Sequence, residues 1–133
     1  MAREKTSSES SACRIFRIYI PYDPPNWNEY IKMERGNKYA ASSLKRHEKE
    51  LVGWYCESLV YHGGYPAQVT IRPHFSSKRK DLDNTRYKGI LDGLVSCGVI
   101  SSDNLNHIQR IILEPVFDDT EEIEVIIEPL EES

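Results

Sequence analysis

Cysteine is scarce in this chain, and its three copies, Cys13, Cys56 and Cys97, stand far apart. No C-x-x-C pair occurs, which argues against a disulfide framework and against a zinc ribbon. Long apolar runs are also missing. The stretch around Ile111 falls far short of a bilayer span, and the N-terminus has no apolar signal-peptide core. The sequence therefore reads as a cytoplasmic protein with no membrane partner. No G-x-S-x-G elbow, Walker loop or dinucleotide fingerprint is present. The four histidines, His47, His62, His74 and His107, lack ligand spacing and read as surface or partly packed residues.

With 133 residues, the chain is long enough for one domain with a modest core. Residues 1–12 are polar and Ser-rich and are expected to be a disordered tail, with one domain over 13–133. The formal charge of −4 argues against a nucleic-acid partner. Its distribution weakens that objection. Lys78-Arg79-Lys80 lies mid-chain, flanked by Arg72, Arg86 and Lys88, while much of the acid falls between Asp118 and Glu132. A ligand responds to the local field more than to the net charge.

The alternation from Arg14 to Ile20 predicts a strand, with Phe16, Ile18 and Ile20 on one face. Pro21, Pro24 and Pro25 then force a loop, expected to run through Asn28 to Asn37. It carries Lys32, Arg35 and Lys38 among Trp27, Tyr30 and Tyr39, a mixture that suits a DNA-facing arm or a solvated loop with a few anchoring rings. Residues 40–62 read as a helix with a stripe of Leu44, Leu51, Tyr55 and Leu59, widened by Val52 and Trp54, and ended by Gly63-Gly64. A strand from Ala67 to Arg72, a helix over 84–97 stopped by Gly98, and strands near 107–113 and 122–128 complete a β-α-β-α-β-β order. The expected class is α+β with a mixed sheet.

The chemistry concentrates in Lys78-Arg79-Lys80-Asp81-Leu82-Asp83-Asn84. In extended backbone, Asp81 and Asp83 point the same way, and two carboxylates side by side repel each other. A hard divalent cation such as Mg²⁺ relieves that repulsion, and the basic run before it draws a phosphate backbone toward the metal. Asp83 or Asn84 can instead cap the following helix, though a cap explains neither Asp81 nor the three cations. Lys88 and Asp92, four residues apart on that helix, read on their own as a surface ion pair. Asp103, in Ser101-Ser102-Asp103-Asn104, reads on its own as a turn residue. A twelve-residue calcium loop from Asp81 to Asp92 is excluded, because Arg86 takes the position that needs glycine. An aspartate-phosphatase motif fails as well, since the residues before Asp81 are not a buried apolar strand.

The stretch KRKDLDNTRYKGILDGLVSCGVISSDN, residues 78–104, resembles the RusA family of Holliday junction resolvases. The likeness lies in the basic run, the D-x-D-N of Asp81 to Asn84, Lys88, Asp92-Gly93-Leu94, Gly98 and Asp103. A weaker match extends upstream to Pro24-Pro25 and Asn28. The resemblance implies a homodimer that binds four-way DNA junctions and nicks two opposed strands with Mg²⁺, Mn²⁺ being a substitute. It implies Asp81, Asp83 and Asp103 as essential carboxylates, Lys88 as the essential lysine, and Asp92 as a supporting acid at the metal. Lys78, Arg79, Lys80 and Arg86 would contact DNA. Two departures stand out. Lys88 and Asp92 lie one residue later than the family spacing, so that Tyr87 holds the expected lysine position, and Ser102 replaces the first acid of a common Asp-Asp pair. A branched-DNA-binding module with weak or no catalysis is the alternative.

Overall fold

The computed structural model describes residues 15–22, 26–75 and 87–130. Its described elements run β1 (Phe16–Ile20), α1 (Trp27–Gly36), α2 (Lys38–Tyr55), β2 (Ala67–Phe75), α3 (Lys88–Ser96), β3 (Ile108–Leu113), β4 (Val116–Phe117) and β5 (Ile123–Pro129). The class is α+β with a mixed five-stranded sheet, as expected, and three helices among the described residues. The order differs from expectation. The anticipated tail over 1–12 lies outside the described residues.

The region expected to be a loop after β1 is a helix. Asn26 caps α1 reciprocally with Glu29: the Glu29 N–H donates to Asn26 Oδ1 at 2.8 Å, and the Asn26 N–H donates to Glu29 Oε1 at 3.0 Å. This capping box satisfies two N-terminal donors that would otherwise need water. α1 was hard to see because its apolar stripe is thin, with Tyr30 its single buried residue. Asn37 then closes α1 and opens α2. Its N–H donates to the Met33 carbonyl at 2.7 Å, and its side-chain oxygen accepts from the N–H groups of Tyr39 and Ala40. Two helices thus meet at one residue.

α2 stops at Tyr55, seven residues before the expected end. Ser58 takes a left-handed backbone, φ 63°, and Tyr61 turns inward until it is 4% exposed. Tyr61 is anchored at both ends, its N–H on the Val99 carbonyl and its hydroxyl on the Gly64 carbonyl. The buried face of α2 is Ala41, Glu48 and Val52, not the Leu44–Leu51–Tyr55 stripe, whose members are half-buried, and Trp54 is exposed.

In the sheet the order is β1-β5-β2-β3, with β5 antiparallel to both β1 and β2, and β3 parallel to β2. Parallel neighbours need a crossover, and α3 lies in the connection. β4 pairs with β2 beyond β3, at His74 and Phe75. Pro73 falls where β3 has ended and β4 has not begun, so its missing N–H removes no ladder bond. β2 accordingly runs three residues past the expected end at Arg72. Phe16, Ile18, Ile20, Val69, Ile71, Val125 and Ile127 turn one face of the sheet into a core, which Val52, Ile90, Leu94, Val99 and Ile100 cover.

Being central, β5 is buried from Ile123 to Ile127, including Glu124 at 3% exposure. Glu124 is paired on both sides, with Arg17 at 3.3 Å and Arg72 at 2.9 Å. A buried carboxylate is tolerable only with such partners. Among the described residues, no helix is long and apolar enough to cross a membrane.

Candidate functional site

α3 runs from Lys88, with Tyr87 in the N-cap position and no side-chain cap. Residues 84–86 lie outside the described residues, as does the capping role considered for Asp83 or Asn84. The helix is positioned by two glycines spaced one turn apart. A Cβ on Gly89 would overlap Glu48 Oε1, and one on Gly93 would come within 2.6 Å of Val52 Cβ. Glu48 and Val52 are themselves four apart on α2, so the two helices touch backbone to side chain along matched turns. Lys88 and Asp92 each precede one of these glycines, which rotates both away from α2 onto the same outer flank.

On that flank Lys88 Nζ donates to Asp92 Oδ1 at 2.8 Å. The same ammonium lies 3.5 Å from Asp103 Oδ2. Asp103 arrives from the turn that follows α3. Gly98, at φ 86°, ends the helix in a conformation that other residues rarely adopt. Val99 and Ile100 then drop into the core and bring the chain back along α3. Ser102 and Asn104 shape the turn: Ser102 Oγ accepts the Asn104 N–H, and Asn104 Oδ1 accepts the Asn106 N–H and bonds His107 Nδ1. Asp103 is thus a turn residue that also lies within reach of the Lys88 ammonium.

One cation thus serves two carboxylates from separate parts of the chain. The Lys88 side chain is 50% exposed, Asp92 34% and Asp103 35%, so all three are open to a ligand. The hydrogen bond to Asp92 raises the lysine above its ordinary value. Partial burial opposes that shift, and the fields of Asp92 and Asp103 reinforce it. Lys88 is an ammonium throughout the neutral range.

Asp81, Asp83, Lys78, Arg79, Lys80 and Arg86 lie outside the described residues. The structure brings together Lys88, Asp92 and Asp103 of the expected constellation. Among the described residues no group of three His, Cys, Asp or Glu side chains could hold a metal ion. Asp92 and Asp103 supply hard oxygen donors of the kind Mg²⁺ prefers, two in place of the six it needs.

Glu48 is a site-supporting residue that the sequence reading missed. It is fully buried, accepts a hydrogen bond from Tyr22 Oη at 2.8 Å, and packs beneath the first turn of α3. The visible signal was its place in the Ala41–Glu48–Val52 face, a charge where α2 otherwise turns small or apolar side chains inward.

His74 is one of the partly packed histidines expected from the sequence. Its side chain is 6% exposed, with Nδ1 at 2.8 Å from Asp118 Oδ2 and 3.6 Å from Glu122 Oε2. Asp118 is held below the usual carboxylate range, first by the Thr120 hydroxyl and then by the Thr120 N–H and His74. This cluster ties the β4–β5 turn to the end of β2. No protein-family model matches the chain, and no curated protein matches it.

Proposed function

We propose that this chain is a RusA-like, Mg²⁺-dependent endonuclease that resolves four-way DNA junctions as a homodimer. The observation that carries the reading is the single ammonium of Lys88 set between Asp92 and Asp103, residues brought from α3 and from the turn that follows it. An ion pair serving stability alone needs one partner, and exposed pairs contribute little. Two carboxylates facing one lysine at an open flank instead suit the binding of a cation and a phosphate side by side.

Asp81, Asp83 and Asp103 would hold Mg²⁺ with Asp92 in support, and the bound ion would supply an activated water and polarised phosphoryl oxygens. Lys88 neutralises charge that builds on the phosphoryl group, and Asp92 fixes the position of its ammonium. Lys78, Arg79, Lys80 and Arg86 hold the phosphate backbone. In-line attack leaves a 5′-phosphate and a 3′-hydroxyl. A two-fold dimer matches a junction that is itself two-fold and places one acidic site on each of two strands.

The deciding variant is Asp81→Asn. Cleavage of a synthetic junction in Mg²⁺ is expected to vanish while binding of the junction in EDTA is kept. Full cleavage by the variant removes the carboxylate mechanism. A wild-type chain that binds the junction without cutting it would instead be a branched-DNA-binding module.

A further inference from the structure

α1 and α2 enclose a cleft of about 460 Å³, remote in sequence from the Lys88 flank and lined by Tyr30, Glu34, Arg35, Lys38, Ser42 and Lys45 among others. Three of these side chains are cations and one is an acid. Glu34 already accepts a hydrogen bond from Tyr30 Oη at 3.2 Å. Lys45 Nζ stands 5.6 Å from the centre of the Tyr30 ring, a cation–π distance. Neither Arg35 nor Lys38 forms an ion pair with a described carboxylate, although both line the same concavity.

The surroundings carry the same sign. From Trp27 to Tyr55 the chain has six basic residues and four acidic ones, and Glu48, one of the four, is fully buried. A local excess of positive charge thus sits on a chain whose net charge is −4. Cations gathered at one concavity repel each other, and an anion that sits among them removes that cost.

A second feature names the anion. Tyr39 follows Lys38 on α2 and is 86% exposed, more than any other large apolar or aromatic side chain among the described residues. Its backbone N–H is fixed by the Asn37 side chain, so the ring projects from an ordered helix start. A ring held in water one residue from a cleft-lining lysine suits a base stacked next to a bound phosphate. Duplex bases cover one another's faces, whereas an unpaired base has a face to offer.

We propose that the α1–α2 cleft binds the phosphodiester backbone of an unpaired nucleic-acid strand, with Tyr39 stacking on one of its bases. This deepens the branched-DNA reading and rests on it for the choice of DNA.

The test is fluorescence anisotropy of the full chain with a labelled oligothymidylate in EDTA, where no cleavage occurs, over a range of salt. Arg35→Gln with Lys38→Gln is expected to weaken binding at least tenfold and to flatten the log K against log salt slope by about 1.4, at about 0.7 for each lost strand contact. Tyr39→Leu is expected to weaken binding by about tenfold without changing that slope, and Tyr39→Phe to restore it. All are surface changes, and unchanged unfolding midpoints are the check that the fold is intact. Wild-type affinity in the Gln or Leu variants overturns the proposal, as does a wild-type chain that ignores the oligonucleotide. Equal binding of polyglutamate, insensitive to Tyr39, would assign the cleft to an acidic protein segment instead. Loss of oligonucleotide binding in the cleft variants of a chain that never cuts junctions would uphold the cleft and remove the nuclease.

Discussion

The carboxyl group of Glu48 fills the space beside Gly89 that any side chain at residue 89 would need. That contact sets how closely α3 approaches α2, and so where Lys88, one residue earlier, stands relative to Asp103. Tyr22 Oη holds the same carboxyl from the end of β1. Three elements therefore meet beneath the first turn of α3.

Gly89→Ala tests this relationship. A methyl group gains about 1 kcal/mol in helix propensity, but it must displace a buried carboxyl, and overpacking of that kind costs about 1–3 kcal/mol. The loss of the Tyr22 bond adds to the cost. A net destabilisation of about 1–2 kcal/mol is expected in urea unfolding, with a fall in any activity that needs Lys88 in place. Unchanged stability together with unchanged activity would mean that α3 is not held here.

Lys88→Met separates site from scaffold. The pair with Asp92 is half-exposed, so its loss is expected to cost no more than about 0.5 kcal/mol. Junction cleavage is expected to fall at least a hundredfold, on the order of one lost transition-state contact. The pH dependence has a definite sign. The folded-state pKa of Lys88 is raised, so its stabilising contribution is fully present below the unfolded value and disappears as pH rises through the folded one. The small stability difference between wild type and Lys88→Met is therefore expected to be flat through neutral pH and to close on the alkaline side. A gap that opens as pH rises would contradict the assignment.

Much of this was legible from residue patterns, and the failures have physical causes. Alternation marks β1 because every second residue is buried, while in β5, buried on both faces, it reflects a Glu124 paired by Arg17 and Arg72. Asp103 was visible as a turn residue, but its approach to Lys88 depends on Gly98 and on Val99 and Ile100 entering the core, which spacing alone does not reveal. α1 escaped because one buried tyrosine makes almost no stripe, although the N-x-x-E box at Asn26 and Glu29 marked its start. Glu48 escaped because a carboxyl in a helix reads as solvent-facing until its partners are known. The early end of α2 follows from Tyr61 turning into the core, a tertiary effect that outweighs helical periodicity.

The two described cysteines offer an independent check on the α2–α3 contact. Cys56 caps α2 and is buried, while Cys97 caps α3 and is partly exposed. Hydrogen bonding from Cys56 brings the Cys97 thiol down to about 6, and the same contact and burial push Cys56 up. Cys97 is then the more acidic and more reactive thiol of the two. Iodoacetamide is expected to modify Cys97 well before Cys56, at a rate that levels off above neutral pH and falls in acid. A Cys97 rate still climbing tenfold per unit above neutrality would show that the two thiols do not touch.

The buried Glu124 makes a further prediction for the sheet. Arg17 and Arg72 hold it from either side. Glu124→Leu removes the carboxylate shared by a half-exposed Arg17 and by Arg72, which keeps Glu114 at 3.1 Å, and is expected to destabilise the fold by about 1–2 kcal/mol. Thermal unfolding measures it, and an unchanged midpoint would mean that Glu124 contributes no net stability through these two pairs.

The most direct measurement is cleavage of a synthetic four-way junction, mapped to the nucleotide, in Mg²⁺ and in EDTA, with linear duplex of the same sequence beside it. The account predicts paired nicks on opposed strands of the junction in Mg²⁺, 5′-phosphate ends, and no cutting in EDTA. Intact junction in Mg²⁺, or equal cutting of the linear duplex, would contradict it.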